Sequence, residues 1–123
     1  MLRPAVILAL ALSLTPLPAA AASIAIGQAV FNRCRVCHSI AAGAPSPVGP
    51  NLHAIFGRKA GTLDNYAYSE AMRKSGVVWD DNTLAKYVRN PRAFMPDNRM
   101  AFPGVKDDRE IADLLAYLHQ AAQ

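Results

Sequence analysis

Two things are scarce in this chain of 123 residues: cysteine, which occurs twice, and any strong excess of one charge, with 13 basic against 9 acidic side chains. A structural zinc site draws on about four Cys or His ligands in paired spacing. The two cysteines, His38 beside them and only His53 and His119 elsewhere make a poor set for it. The charge balance gives nucleic acid no support. A mild basic excess serves solubility or, if clustered, steers an acidic partner. Internal repeats and low-complexity tracts are missing outside the N-terminal segment. No segment alternates apolar and polar residues between turn signals, so a sheet is unsupported and the expected fold class is all-α.

A bilayer-spanning run of about 20 apolar residues is missing too. The apolar stretch from Ala5 to Leu14 follows Arg3 and precedes Pro16-Leu17-Pro18 and Ala20-Ala21-Ala22. Positive start, short apolar middle and small-residue end describe an export signal. Residues 1–22 are therefore expected to be removed after Ala22, with Ala20 as an alternative. Residues 23–123 remain as one small domain, delivered to the periplasm with a net charge of +3 once Arg3 is gone.

What is present outweighs what is scarce. Cys34-Arg35-Val36-Cys37-His38 is a C-x-x-C-H pentapeptide, the pattern of covalent haem attachment. Each thiol can add to one vinyl group of the porphyrin, and the adjoining imidazole then serves as an axial iron ligand. A thiol–disulfide redox motif is the competing reading, but it expects a βαβ neighbourhood that the chain does not offer.

Helical spacing organises the rest. Ser23 can cap a helix presenting Gly27, Val30, Phe31 and Cys34 on one face. Ala41 to Pro50, rich in Gly, Ala and Pro, reads as an irregular loop. A middle helix is expected from Tyr66 to Ser75, ended by Gly76. Asp80 or Asp81 can cap another, with Leu84, Tyr87 and Val88 on its apolar face and a stop at Asn90-Pro91. Asp107 and Glu110 form a capping-box-like start to a last helix striped by Ile111, Leu114, Leu115 and Leu118.

The second axial ligand decides what such a haem does, and a thioether suits electron transfer. Met1 leaves with the signal, which leaves Met72, Met95 and Met100, each of which could equally fill core space. Further stretches are Gly49-Pro50-Asn51-Leu52, Phe56-Gly57-Arg58-Lys59-Ala60-Gly61, Tyr66-Ala67-Tyr68-Ser69, Ser75-Gly76-Val77-Val78-Trp79, Asn90-Pro91, Met100-Ala101-Phe102-Pro103-Gly104 and Asp113-Leu114-Leu115-Ala116-Tyr117-Leu118. With the pentapeptide, they resemble a class I cytochrome c of the small bacterial kind from about Gly27 to the end.

The resemblance implies four to five helices and long loops wrapped around one covalent haem c. It implies Met100 as the iron ligand opposite His38, with Met95 packed beneath the haem edge. It also implies that the Pro50 carbonyl receives the other His38 nitrogen and that Tyr87 lies near the Met100 sulfur. Arg58, Tyr68 and Trp79 are implied to donate toward a buried propionate, which would be costly unpaired. Trp79 and Tyr87 could instead be core aromatics. Gly27 and Phe31 are implied to cross the last helix near Leu114 and Tyr117. Redox partners would dock at the haem edge by Arg33, Arg92, Arg99 and Lys106, interrupted by Asp97 and Asp107. Relatives commonly have Pro-Gly before the distal methionine, where this chain has Pro96-Asp97-Asn98-Arg99.

The function expected is a monomeric one-electron carrier of a respiratory or photosynthetic chain, not an enzyme. A haem sensor or peroxidase-like enzyme with a displaceable methionine is an alternative, as is the electron-accepting subunit of a periplasmic dehydrogenase. A domain this small and loop-rich gains its centre from the bound group. Circular dichroism of the haem-free chain is therefore expected to show little helix, and a fully helical apo form would contradict this reading.

Overall fold

A computed structural model describes Thr15 and residues 20–123. The expected signal, residues 1–22, lies outside the described residues apart from Thr15 and Ala20 to Ala22. Five helices run in the order α1 (Ile24–Arg35), α2 (Glu70–Lys74), α3 (Asp81–Arg89), α4 (Pro91–Phe94) and α5 (Asp108–Ala121). The one extended pairing among the described residues is an isolated antiparallel bridge between Lys59 and Val78. The class is all-α. Among the described residues no helix is long and apolar enough to cross a membrane.

Caps and spacing explain α1, α3 and α5. Ser23 Oγ accepts the Ile26 N–H, and α1 buries Gly27, Val30 and Phe31, as its three- and four-residue spacing requires. Asp80 caps α3 in a full capping box with Thr83, and the helix buries Leu84 and Tyr87. Asp107 caps α5 by accepting the Glu110 N–H at 2.9 Å. The Glu110 carboxylate does not return the bond, because it is paired with Arg33 on α1 at 2.8 Å. The stripe of α5 is buried at Ile111, Leu114 and Leu118 and half-buried at Leu115.

Two elements differ from the sequence reading. The middle helix starts four residues late, because Ser69 Oγ takes the Met72 N–H and so becomes its cap. Ahead of it, Tyr66 and Tyr68 meet edge to face with ring centres 4.8 Å apart, and Arg73 donates back to the Tyr68 carbonyl at 2.7 Å. Gly76 follows the helix at φ +68°. Asn90-Pro91 stops α3, but it also starts α4. Asn90 Oδ1 accepts the Ala93 N–H, and proline is compatible with a first helical position.

The terminal helices cross. Gly27 sits against the backbone of Asp113, and a Cβ there would meet the Asp113 carbonyl and lie 2.8 Å from Tyr117 Cβ. Beside it the Phe31 and Tyr117 rings lie 5.3 Å apart. Phe31 and Leu114 are each 1% exposed and form a cluster with Val30, Val105, Ile111 and Leu118. A second cluster joins Ile55, Trp79, Leu84, Tyr87 and Met95. Gly27→Ala is expected to force the two helices apart at a cost of about 1–3 kcal/mol, read as a lower urea midpoint. An unchanged midpoint would show that the crossing is not close.

Candidate haem site

A cavity of about 400 Å³ opens between the two clusters, within the usual range for small-molecule sites. Its walls include Phe31, Leu52, Leu84, Leu114 and Leu118. Cys34, Cys37, His38, Pro50, Arg58, Tyr68, Trp79, Tyr87 and Met100 all line it. These nine residues span most of the chain, and the fold brings every one of them to the same space. His53 and His119 do not line it. His119 pairs with Asp81 at 2.6 Å and stacks on Phe56 with ring centres 3.7 Å apart.

The pentapeptide is set where α1 unwinds. Cys34 ends the helix's inward face, and its carbonyl receives both the Cys37 and the His38 N–H, at 3.0 and 2.9 Å. Neither cysteine is in a disulfide. Burial pushes the Cys34 thiol up to about 11, an effect that Arg33 opposes and Cys37 reinforces. A redox dithiol needs a lowered pKa and a ready thiolate, so Cys34 is protonated where that reading wants it ionised. Among the described residues no three His, Cys, Asp or Glu side chains converge as a metal cluster, which leaves the zinc reading without ligands.

His38 Nδ1 lies 2.7 Å from the Pro50 carbonyl oxygen. A carbonyl only accepts, so Nδ1 carries the proton and Nε2 keeps its lone pair. Burial lowers the His38 pKa, the Pro50 bond opposes that shift, and Arg58 adds to the lowering. The imidazole is thus held neutral, the form that binds a metal. Gly49 makes room for it, since a Cβ there would come within 2.7 Å of Nδ1. The preceding loop holds itself in place. Ser39 donates through Oγ to the Pro45 carbonyl and through N to Ser46 Oγ, while Asn51 Nδ2 donates to the carbonyls of Ala41 and Ala44, both at 2.8 Å.

Of the three residues expected to donate to an anion, Arg58 spends two N–H groups on the carbonyls of His53 and Asn51, leaving the guanidinium's other donors. Burial raises the Tyr68 pKa, and Arg58 opposes this. Trp79 is buried, tilted against Tyr87 with ring centres 5.1 Å apart. Burial also pushes the Tyr87 phenol up to about 12, so it stays a donor.

The methionines separate by position. Met95 is buried in the second cluster and does not line the cavity, whereas Met72 and Met100 both do. Asn98 arranges the Met100 segment, a role the sequence reading did not assign. Its Nδ2 donates to the carbonyls of Pro91 and Met95, and its Oδ1 accepts the Met100 N–H at 2.8 Å and faces the Tyr87 hydroxyl at 3.5 Å. Asp97, just before it, has φ +64°. The one signal in the sequence was Pro-Asp-Asn, a turn tripeptide.

The four basic residues expected at the docking edge are all exposed. Arg33 is paired with Glu110, and the Lys106 ammonium donates to the carbonyls of Arg89 and Pro103. Arg99 reaches the Ala67 carbonyl only at 3.4 Å and lines the cavity. Val36 and Val48, 71% and 67% exposed, lie at the same mouth.

Apolar walls, adjoining thiols and a neutral imidazole suit a covalently held haem, and the thioethers of Met72 and Met100 line the same cavity. Comparison with known proteins agrees. The family model described as cytochrome c matches residues 24–122. Cytochrome c2 of Blastochloris viridis is 47% identical over 103 residues, which cover 84% of this chain and 81% of that protein. Cytochrome c-550 of Bradyrhizobium diazoefficiens is 43% identical over 96 residues, covering 78% and 71%. Cytochrome c of Sesamum indicum is 44% identical over 96 residues, covering 77% and 86%. A match over nearly the whole domain, by a chain whose cavity gathers the haem-attachment pentapeptide, makes this protein a member of the cytochrome c family, electron carriers with covalently attached haem c.

Proposed function

We propose that the protein is an exported, periplasmic one-electron carrier, monomeric and without catalytic activity of its own. In this reading Cys34 and Cys37 bind a single haem through thioethers and His38 and Met100 ligate its iron. The observation that carries it is the convergence of the pentapeptide, the His38–Pro50 bond and Met100 on one apolar cavity. When bound, the haem supplies a one-electron iron couple. The chain's own residues hold that group and set its surroundings.

The Pro50 carbonyl fixes the His38 ring and its tautomer, as the outer partner of a ligating imidazole does. Asn98 anchors the Met100 backbone, so the thioether is delivered by a pinned segment. Arg58, Tyr68 and Trp79 offer donors to a buried propionate, offsetting the cost of enclosing its charge. With His38 and Met100 both holding the iron, the bound group would offer no open site to a substrate.

Partners dock where Arg99, Val36 and Val48 line the cavity mouth, with exposed Arg92 a further basic residue of that surface. Because Arg33 and Lys106 are already engaged and Asp97 and Asp107 lie nearby in sequence, the charge on this face is diluted. Apolar contact then carries more of the encounter than long-range attraction.

Met100→Ala is expected to abolish the weak near-infrared sulfur-to-iron band of the ferric protein and to let carbon monoxide bind the ferrous form. Met72→Ala should leave both properties as they are. The opposite pattern would transfer the ligand role to Met72, and ready gas binding by the unaltered protein would overturn the carrier reading. Electron transfer to an acidic partner protein is expected to slow by less than about tenfold as the Debye length shrinks from about 30 to 10 Å. A steeper fall would show that a strong basic face governs docking.

A further inference from the structure

Asp113 has no place in the cavity. It is 0% exposed and sits on α5 where α1 crosses. Its Oδ1 accepts the backbone N–H of Ser23 at 2.6 Å, while its Oδ2 has no hydrogen-bond partner among the described residues. Arg109, one turn earlier, has its Nε 3.5 Å from Oδ1. The same guanidinium donates to the carbonyls of Ala20, at 2.7 Å, and Ala21. A buried carboxylate oxygen without a donor is costly, and a backbone amide has only one proton to give.

The residue that meets this carboxylate is the one expected to become the N-terminus of the exported chain. An α-ammonium has three protons, enough for both oxygens. We propose that cleavage between Ala22 and Ser23 completes the fold: the new α-ammonium of Ser23 pairs with Asp113 and supplies the donor that Oδ2 lacks. The proposal rests on the reading that residues 1–22 are a signal removed after Ala22. A signal peptidase hydrolyses the bond with one water. The C–N bond breaks, Ala22 departs as a carboxylate, and Ser23 keeps its nitrogen as a protonated amine.

Three observations support the pairing. Ala20, Ala21 and Ala22 are exposed and outside any helix, so the bond is accessible where the domain begins. The first turn of α1 contains no acidic residue, and a positive terminus at the positive end of a helix dipole needs an anion from elsewhere. Asp113 is that anion. Removing Ala20 and Ala21 also frees Arg109, the other charged side chain facing Asp113. The first turn of α1 adds neither an acidic nor a basic side chain.

An amine whose pKa is raised by folding stabilises the fold fully below its unfolded value, near 8. It loses that stabilisation as pH rises through the folded value. The test uses exported holoprotein with its own signal, and two further holoproteins whose foreign signals leave either Ser23 or Ala21 as the first residue. Intact mass of the first is expected to place the terminus at Ser23, and any other terminus overturns the proposal at its processing step. Urea unfolding between pH 7 and 10 should show the Ser23 form losing stability that the Ala21 form does not lose. The difference should be roughly tenfold in the folding equilibrium constant for each unit by which the amine is raised. Asp113→Asn should remove it. Should that variant fail to fold, the rate of terminal-amine acylation at pH 8 decides in the unaltered domain, expected to be at least about tenfold slower for Ser23 than for Ala21. Equal pH profiles and equal acylation rates overturn the pairing even if the terminus is Ser23.

Discussion

The crossing of α1 and α5 is the contact on which the rest of the molecule depends. Gly27 lets the two backbones approach, and Phe31 and Tyr117 fill the space beside them. From that fixed point α1 runs two more turns and ends by aiming Cys34, Cys37 and His38 at the cavity. Crossing it, α5 contributes Leu114 and Leu118 to the lining of the same cavity. One helix pair therefore both carries the attachment residues and closes the space they serve. Of the remaining helices, α2 lends Met72 and α3 lends Leu84, Tyr87 and Val88 to that space, consistent with a domain whose centre is reserved for a cofactor.

Burial acts on the two kinds of donor in opposite directions and reaches the same end. It raises the Cys34 thiol and lowers the His38 imidazole, because in each case the charged form is the one that loses hydration. Both are left uncharged at neutral pH. Pro50 then does for the imidazole what burial alone cannot, assigning the proton to Nδ1 and leaving Nε2 open. The family's chemistry thus needs no ionised ligand inside an apolar cavity, which would be expensive to maintain.

Much of this was legible in the residues, and each part that was not has its own physical reason. The pentapeptide, the faces of α1, α3 and α5 and the capping residues Ser23, Asp80 and Asp107 are local signals, written within four positions of where they act. The start of α2 differs because Ser69 takes the Met72 amide as a helix cap, so the turn begins after it, not at Tyr66. The extra turn α4 was hidden because proline ends one helix and begins the next with the same geometry. Asn98 and the carbonyl partners of Arg58 were invisible for a different reason. Their backbone partners lie only two to seven residues away, but across irregular loop, where no periodicity says which carbonyl or amide a side chain will reach. Reciprocity between Asp107 and Glu110 failed likewise, through the competing attraction of Arg33 on another helix.

The loop between Ser39 and Asn51 is tied at its base by Ser39, Ser46 and Asn51, while Ala41, Ala42 and Gly43 at its tip are exposed. Within that tip the Ala41 carbonyl takes part in the tie, whereas Ala42 and Gly43 make no hydrogen bond among the described residues. Lengthening a flexible loop costs only about 0.6 kcal/mol per doubling, and the knot at the base shields Gly49 and His38 from whatever is added. Insertions, fused domains or an electrode tether can therefore be accommodated here, next to the mouth of the cavity, with the least disturbance to the wiring behind it.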